Sequence, residues 1–267
     1  MSMSSILKYE GRKFKEGSAT NVADLLTVEQ ALQLSVNGKP FTVVMQTPGD
    51  EKELAFGLLY VEDVLKVDAQ PEFELRENKY GFIEEVNVLI PKNEIGEGFL
   101  SSRSLLSVSS CGICGKLTLE DLEVSGEELK SEEQISIKNV YTFREMMVEK
   151  QEKYHQTGGS HAAAAFDKEG NLLSIREDIG RHNAVDKVVG DLILNGTLSQ
   201  AKALAVSGRM SYEIVSKAFR AKIPIIVAVS APSSLAIDFA KEYGMTILGF
   251  TRNDKTTCYS NPWRIVE

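Results

Sequence analysis

Two cysteines three residues apart, Cys111 and Cys114, are the first feature of this chain that could do chemistry. They lie in the run SSCGICGK, where glycines let the backbone turn tightly and keep both sulfurs accessible. Neighbouring backbone N–H groups can stabilise a thiolate, and the thiolate is the nucleophilic form of cysteine. The pair is therefore a candidate reactive site.

The C-x-x-C spacing fits four interpretations. Half of a structural zinc site would need two more ligands, and the candidates, Cys258 and the three histidines, form no second close pair. A thioredoxin-type redox pair is expected between a strand and a helix start, whereas this pair lies in a long Ser-rich loop, residues 99–117. A mobile loop in which one thiol takes up a sulfane sulfur also fits, as do two incidental cysteines. The spacing alone does not choose among them.

A second group of polar residues follows a predicted strand and opens a predicted helix at about residue 181. The run EDIGRHNAVDK contains the candidate ligand residues Arg181, His182, Asn183, Asp186 and Lys187. A helix N-terminus offers free N–H groups to phosphate, and the guanidinium fork of arginine matches phosphate geometry. A surface helix with an ordinary cap would need fewer distinct polar groups, so the run favours a binding site for an anion.

The next predicted strand ends in the run VSGRMSYE, which supplies Ser207, Gly208 and Arg209. The run TGGSH places His161 at the beginning of an earlier strand, where a helix C-cap explains the glycines but not the histidine. In parallel sheets, ligands bind beyond the carboxyl ends of strands. Two adjacent junctions with glycine followed by arginine therefore predict one shared pocket that binds an anion, with simple β–α turns as the alternative.

Composition limits the function classes. The 267 residues are 43% hydrophobic and 25% charged, which is typical of a globular protein. The formal net charge of −8 disfavours non-specific nucleic-acid binding. No apolar run is long enough to span a membrane and the N-terminus lacks the apolar core of a signal peptide, so we expect a cytoplasmic protein with no membrane partner. Residues 1–137 carry a net −11 and residues 138–267 a net +3, which places an anionic ligand on the second half.

The pattern of elements changes near residue 137. Before it, the sequence predicts a hairpin of strands 31–36 and 41–45 around Asn37-Gly38, a helix at 51–64, and strands at 72–77 and 82–90. After an acidic linker at 120–133, helices alternate with strands from a helix at 141–155 onward. This order predicts an α/β fold with a largely parallel sheet and helices on both faces. We place an N-terminal α+β domain at 1–137 and a ligand-binding domain at 138–267.

These motifs together resemble the formate dehydrogenase accessory sulfurtransferase family. The resemblance runs through SSCGICGK, TGGSHAAAAFD, EDIGRHNAVDKVVG, VSGRMSYEIV and LGFTR, with NGKP, QTPGD and ELAFGLLY upstream. It covers nearly the whole chain, and the middle motifs are long and specific. It implies a homodimer whose main domain has a cytidine-deaminase-like, three-layer α-β-α fold.

The resemblance also implies an activity. Such a protein receives sulfur from a cysteine desulfurase and carries it as a persulfide on the C-x-x-C loop. It passes the sulfur to the molybdenum or tungsten bis(molybdopterin guanine dinucleotide) cofactor, which is inserted into the formate dehydrogenase catalytic subunit. The expected roles are therefore catalysis by Cys111 and Cys114, and cofactor binding by the anion-binding pocket, with GDP as a mimic of the nucleotide. A cofactor chaperone without sulfur transfer is the alternative.

A deaminase-like fold permits one comparison within the sequence. A zinc deaminase needs H-x-E at one helix start and P-C-x-x-C at the next. At the matching junctions this chain has His182-Asn183-Ala184 and Ser207-Gly208-Arg209-Met210-Ser211. One histidine is kept while the acid and both cysteines are absent. Deaminase chemistry and a zinc ion are therefore not expected.

Overall fold

The computed structural model describes residues 4–91, 94–96 and 126–267. The loop 99–117, and with it Cys111 and Cys114, lies outside the described residues, so their predicted roles stay predictions.

The second half is built on a six-stranded sheet. Its strands are β8 (His161–Phe166), β9 (Leu172–Asp178), β10 (Ala203–Val206), β11 (Ile225–Ala228), β12 (Thr246–Arg252) and β13 (Lys255–Ser260), in the order β13-β12-β11-β10-β8-β9. Only the β10–β11 and β11–β12 pairs are parallel. The prediction of a largely parallel sheet was wrong, because β8–β9 and β12–β13 are joined by tight turns that force antiparallel pairing.

Helices cover both faces of this sheet. Among the described residues, five helices follow α1 (Glu51–Val61): α2 (Ile137–Glu149), α3 (Glu152–Thr157), α4 (Arg181–Leu194), α5 (Tyr212–Arg220) and α6 (Ser234–Glu242). Alternate strand residues face opposite sides. Ala162 and Ala164 pack with α2, while Ala163 and Ala165 pack with α4, α5 and α6. The predicted helices on both faces are therefore confirmed.

The predicted helix at 141–155 is two helices. Helix α2 ends at a cap on Lys150, and α3 begins after Gln151. The buried carboxylate of Glu177, on β9, accepts hydrogen bonds from the backbone N–H groups of Lys153 and Tyr154 at 2.7 and 2.8 Å. This side chain satisfies the first turn of α3 and so starts a new helix where the apolar periodicity alone predicts one continuous element.

The first half holds a four-stranded sheet of β3 (Gln30–Val36), β4 (Lys39–Gln46), β5 (Glu72–Glu77) and β6 (Ile83–Leu89), in the order β4-β3-β6-β5. The predicted hairpin around Asn37-Gly38 is confirmed, with both residues at positive φ. Helix α1 packs on this sheet and shares its apolar core. Two strands that the sequence analysis did not predict, β1 (Ile6–Lys15) and β2 (Ser18–Thr27), pair with each other. Strands β7 (Ile135–Ser136) and β14 (Ile265–Val266) form a small separate pair.

The two halves meet where α1 crosses α4 at two glycines. A Cβ built on Gly57 would lie 1.9 Å from the carbonyl oxygen of Asp186, and one on Gly190 would lie 1.9 Å from that of Glu53. No side chain fits at either position, because the two helix backbones are in direct contact there. This crossing holds α4 against the first half of the chain, while the boundary near residue 137 stays a prediction.

Candidate functional site

The candidate site lies at the edge of the six-stranded sheet where β9 and β10 end. Helix α4 begins directly after β9, with Gly180 as its N-cap residue, and Ser207 follows β10. The backbone of Ser207 bonds to Ala162 at the beginning of the antiparallel β8, which brings His161 to the same edge. The loops after β10 and β11 are also joined, since the N–H of Met210 donates to the carbonyl oxygen of Ala231 at 3.1 Å. The topology thus brings together the motifs that the sequence analysis selected.

Beneath this edge, Asp178 is the centre of a buried polar network. Its Oδ1 accepts hydrogen bonds from the N–H of Gly180 at 2.7 Å and from Asn183 Nδ2 at 3.0 Å. Its Oδ2 accepts from the N–H of Thr47 at 2.9 Å and lies 2.8 Å from Lys187 Nζ. Asp178 and Lys187 are both fully buried. A buried charge needs this degree of pairing, so the network is a requirement of the fold at this point.

The same network ties the start of α4 to the segment 45–50 of the first half. Lys187 Nζ donates to the carbonyl oxygen of Thr47 at 2.6 Å, and Asn183 Nδ2 donates to that of Met45 at 2.7 Å. In the other direction, the hydroxyl of Thr47 accepts from the N–H of Ile179 at 3.0 Å. The upstream motif QTPGD is therefore the structural partner of EDIGRHNAVDK, and together they fix the position of the helix N-terminus.

A second buried ion pair involves the neighbouring residue of α4, since Asp186 directly precedes Lys187. The carboxylate of Asp186 is 2.6 Å from Lys217 Nζ, which is on α5, and it is 1% exposed. Burial raises the pKa of Asp186 to about 6, although Lys217 opposes that shift. Burial alone would lower the pKa of Lys217, but Asp186 and two further carboxylates, Glu213 and Glu62, outweigh burial and raise it, so the ammonium stays charged. His182 is also buried, with Nε2 at 3.2 Å from both Ser211 Oγ and Glu213 Oε2.

The open part of the site contains His161, Arg181 and Arg209. His161 Nδ1 lies 3.5 Å from Ser207 Oγ, and a Cβ on Gly208 would be 3.4 Å from both His161 Nδ1 and Arg181 Cδ. Burial lowers the pKa of His161, and the charges of Arg181 and Arg209 lower it further, which outweighs the opposite effect of Asp178. The imidazole is therefore held neutral beside two guanidinium groups.

Within the part of the chain that the structure describes, the arginines of this open cluster have no carboxylate partner. Across the described ranges, neither Arg181 nor Arg209 forms an ion pair, and the buried Nε of Arg181 lacks a hydrogen-bond partner. Arg209 is exposed and Arg181 half-buried. Two unpaired guanidinium groups at a helix N-terminus form an arrangement that binds phosphate-like anions.

The structure divides the predicted site residues into two sets. His161, Arg181, Ser207, Gly208 and Arg209 lie together at the open edge. His182, Asn183, Asp186 and Lys187 lie at the same edge but are each at most 4% exposed, and their polar atoms bond within the protein. Direct ligand contact by this buried set stays a prediction.

Sequence reasoning missed three structural partners: Thr47, Asp178 and Lys217. Asp178 lies within EDIGRHNAVDK and Thr47 within QTPGD, but the sequence analysis assigned a role to neither of them. Lys217 carried no signal beyond its place on an amphipathic helix. The available indication was two adjacent acids, Glu177 and Asp178, directly after a predicted strand, since an acid that is buried at such a place must be paired.

None of the helices within the described residues is long and apolar enough to cross a membrane.

Cys258 is half-buried on β13, and its Sγ donates to the carbonyl oxygen of Ser260 at 3.2 Å. Burial raises the pKa of this thiol, which disfavours the reactive thiolate.

Comparison with known proteins gives a consistent result. The sulfur carrier protein FdhD of Sulfolobus acidocaldarius is 41% identical over 266 residues, covering 97% of this chain and 98% of the relative. The protein of the same name from Saccharolobus solfataricus is 38% identical, with the same coverage. A crystal structure described as a formate dehydrogenase accessory protein from Desulfotalea psychrophila superposes with a TM-score of 0.78 at 22% identity, covering 98% of this chain and 100% of that one.

The solved structure supports the fold, and the sequence relatives define the family. The family model described as FdhD/NarQ matches residues 27–266, which include both halves of the chain and every motif of the candidate site. The chain therefore belongs to the FdhD/NarQ family.

Proposed function

We propose that this protein is a sulfur carrier that supports formate dehydrogenase, with Cys111 and Cys114 as the sulfur-handling residues. The relatives at 38–41% identity are named sulfur carrier proteins, and the structural neighbour is described as a formate dehydrogenase accessory protein. The C-x-x-C is the feature of the sequence that suits sulfur transfer, because one thiol can carry the sulfur and the second can release it.

In the proposed reaction, a thiolate of one cysteine attacks the outer sulfur of a persulfide on a cysteine desulfurase. A new S–S bond forms on this chain, and the donor cysteine leaves as a thiolate, so the exchange has no net redox change. The second cysteine then attacks the inner sulfur, which forms a Cys111–Cys114 disulfide and releases the outer sulfur as sulfide. The two electrons come from the cysteine pair, which an external thiol must reduce before the next cycle.

The observation that carries the cofactor-binding part of the proposal is the open cationic cluster of His161, Arg181 and Arg209. Its unpaired guanidinium groups suit the diphosphate of a molybdenum or tungsten bis(molybdopterin guanine dinucleotide) cofactor, which here is the substrate that receives sulfur. The buried Asp178 network supports the cluster, because it fixes the helix start on which Arg181 lies. GDP is the corresponding soluble probe.

The remaining elements of the proposal concern fold and partners. We infer a cytidine-deaminase-like domain, which the helices on both faces of the mixed sheet support. The expected partners are a cysteine desulfurase, the formate dehydrogenase catalytic subunit and a second copy of this chain, in the cytoplasm. No resident zinc is part of the proposal.

The test is intact-protein mass spectrometry after incubation with a cysteine desulfurase and cysteine. Wild type should gain a reducible adduct of one sulfur, about 32 Da, as expected for a persulfide. Cys111→Ala or Cys114→Ala should lose it, and Cys258→Ala should keep it, since the Cys258 thiol is half-buried with a raised pKa. Loss in the Cys258 variant alone would contradict the assignment.

A second measurement separates sulfur transfer from the alternative of a cofactor chaperone. If no form of the protein gains sulfur but GDP still binds and both cysteine variants activate formate dehydrogenase, the chaperone is the correct function. If sulfur is loaded but GDP does not bind, the carrier is retained and the cationic cluster has a different ligand.

A further inference from the structure

Helices α1 and α5 both end at one cleft of about 490 Å³, which is lined by residues 60–68 of the first half and 219–222 of the second. The hydroxyl of Tyr60, in the last turn of α1, donates to the carbonyl oxygen of Arg220, the last residue of α5, at 2.9 Å. Leu65 and Phe219 add apolar surface. The charged lining residues are Asp63, Lys66, Asp68, Arg220 and Lys222. Because the hydrogen bond holds the two helix ends together, the cleft is part of the fold.

The backbone at these two helix ends is unusual. Asp63 follows the C-cap of α1 at φ 57°, and Lys222 follows the C-cap of α5 at φ 58°. In each case the N–H of this residue and the N–H of the next one donate to carbonyl oxygens of the last helical turn, at 2.8–3.0 Å. This arrangement is the Schellman motif, whose left-handed position is most often glycine.

Two other helices of this chain do place glycine at that position. Gly196 follows the C-cap of α4 at φ 67°, and Gly244 follows that of α6 at φ 70°. In both, the next N–H donates back to the helix, as the motif requires. A side chain is strained at such a φ, lysine more so than aspartate. The chain therefore keeps charged side chains at the cleft where glycine would be less strained, and local strain of this kind clusters at functional sites.

The electrostatics of a helix end do not explain both charges. The C-terminal end of a helix carries a partial negative charge, which favours Lys222 but disfavours the carboxylate of Asp63. The last carbonyl groups of α5 already accept backbone N–H groups from beyond the helix, so they need no side chain. In the residues that the structure describes, neither Asp63 nor Lys222 has an ion-pair partner, and Lys222 Nζ lies 5.1 Å from the ring centre of Phe219. Both charges are therefore available to a ligand.

We propose that this cleft binds a small zwitterion with more carboxylate than ammonium groups, the chemistry of an acidic amino acid. The part of the lining at the end of α5 supplies cations alone, Arg220 and Lys222, and Lys66 adds a third. These three charges suit carboxylates, and a guanidinium can bind a carboxylate through two parallel hydrogen bonds. Asp63 and Asp68 can accept hydrogen bonds from an ammonium group, and they would repel a highly charged phosphate ester.

The size and position of the cleft agree with a separate small-molecule site. Such sites typically have about 300–1,000 Å³, a range that includes this cleft. The open cationic cluster lies at the other end of α5, because Arg209 precedes that helix and Arg220 is its last residue. A ligand in the cleft would therefore be additional to the proposed cofactor and to the sulfur.

The test is calorimetric titration of the full chain with L-glutamate as the probe. Wild type should bind it saturably, and glutarate, which lacks the ammonium group, should bind at least about tenfold more weakly. Lys222→Gly and Asp63→Gly should each weaken L-glutamate binding by about 10- to 100-fold, as expected when one hydrogen bond to a charged group is lost. The same two variants should raise the midpoint of thermal unfolding, because glycine removes the strain of the left-handed backbone.

Asp254→Gly is the matched control, since it replaces the same residue type at φ 53° in the turn between β12 and β13. It should also raise the unfolding midpoint but leave L-glutamate binding unchanged. The GDP affinity of Lys222→Gly and Asp63→Gly should equal that of wild type, because the open cationic cluster is at the other end of α5.

Four results would each overturn the inference. They are a wild type that does not bind L-glutamate, an affinity for glutarate equal to that for L-glutamate, unchanged binding in both cleft variants, and a lower unfolding midpoint in those variants. Inorganic pyrophosphate that competes with L-glutamate and binds more tightly would overturn the ligand class, since the cleft would then be a phosphate site. None of these results bears on persulfide formation, so the sulfur carrier is tested separately.

Discussion

Two groups of cationic side chains lie near the strand ends of this sheet: the buried group has carboxylate partners, and the open group has none among residues 4–91, 94–96 and 126–267. Lys187 and Lys217 are buried and pair with Asp178 and Asp186. Arg181 lies in EDIGRHNAVDK together with Lys187, and Arg209 lies in VSGRMSYE, shortly before Lys217. Neither arginine has an ion pair among the described residues. Cationic residues of the same helix, Arg181 and Lys187, therefore have different surroundings, and burial with ion pairing is what distinguishes them.

The largest expected effect comes from breaking the buried group. Asp178→Asn removes the carboxylate charge closest to Lys187. It also replaces one acceptor oxygen by an NH2 group, which would face the N–H donors that now bond to Asp178. Removing one partner of a buried ion pair typically costs about 3–5 kcal/mol. We expect a loss of that size in the free energy of unfolding, measured by urea denaturation.

Asp167→Asn is the control for this change. Asp167 also accepts a backbone hydrogen bond, from Asn171 at 2.8 Å, but in an exposed turn. It should lose no more than about 1 kcal/mol, since exposed hydrogen bonds contribute little. Equal losses in the two variants would contradict the distinction between the buried and open groups.

An intermediate effect is expected from the open group. Arg181→Ala and Arg209→Ala should each weaken GDP binding, because a hydrogen bond to a charged group is worth about 1.5–3 kcal/mol, or roughly 10- to 100-fold in Kd. Calorimetric titration measures this, and thermal unfolding should change little. Arg220→Ala is the control, since Arg220 lies at the far end of α5 from the site. Unchanged GDP affinity in both site variants would remove the cluster from the proposal.

The smallest effect sharpens the electrostatics of the open group. The pKa of His161 should lie below its usual value, and Arg209→Ala should raise it, because one of the two repelling charges is removed. NMR titration of the imidazole measures both. The unfolded chain binds more protons than the folded one between the two pKa values, so this group costs stability as the pH falls through about 6.5. A pKa that falls or stays constant in the Arg209 variant would argue against this geometry.

Much of the local structure followed from the sequence. Apolar spacing predicted a helix at 51–64, where α1 spans Glu51–Val61, and Asn37-Gly38 predicted the β3–β4 hairpin. These succeeded because apolar spacing and turn residues act over a few neighbours. The β1–β2 ribbon was missed because its strands bury almost nothing, so no period of buried residues marks them.

The sequence by itself determined the family motifs, the C-x-x-C, and the selection of polar residues at the strand ends. Only the tertiary structure decided which of those residues are internal partners and which remain open. Asp178 accepts a hydrogen bond from Thr47, more than a hundred residues earlier in the chain, and pairs with the nearby Lys187. The order of residues along the chain does not reveal these contacts. Desolvation is the physical reason: a charge removed from water must find its counter-charge within the fold, while a charge left at the edge is available to a ligand.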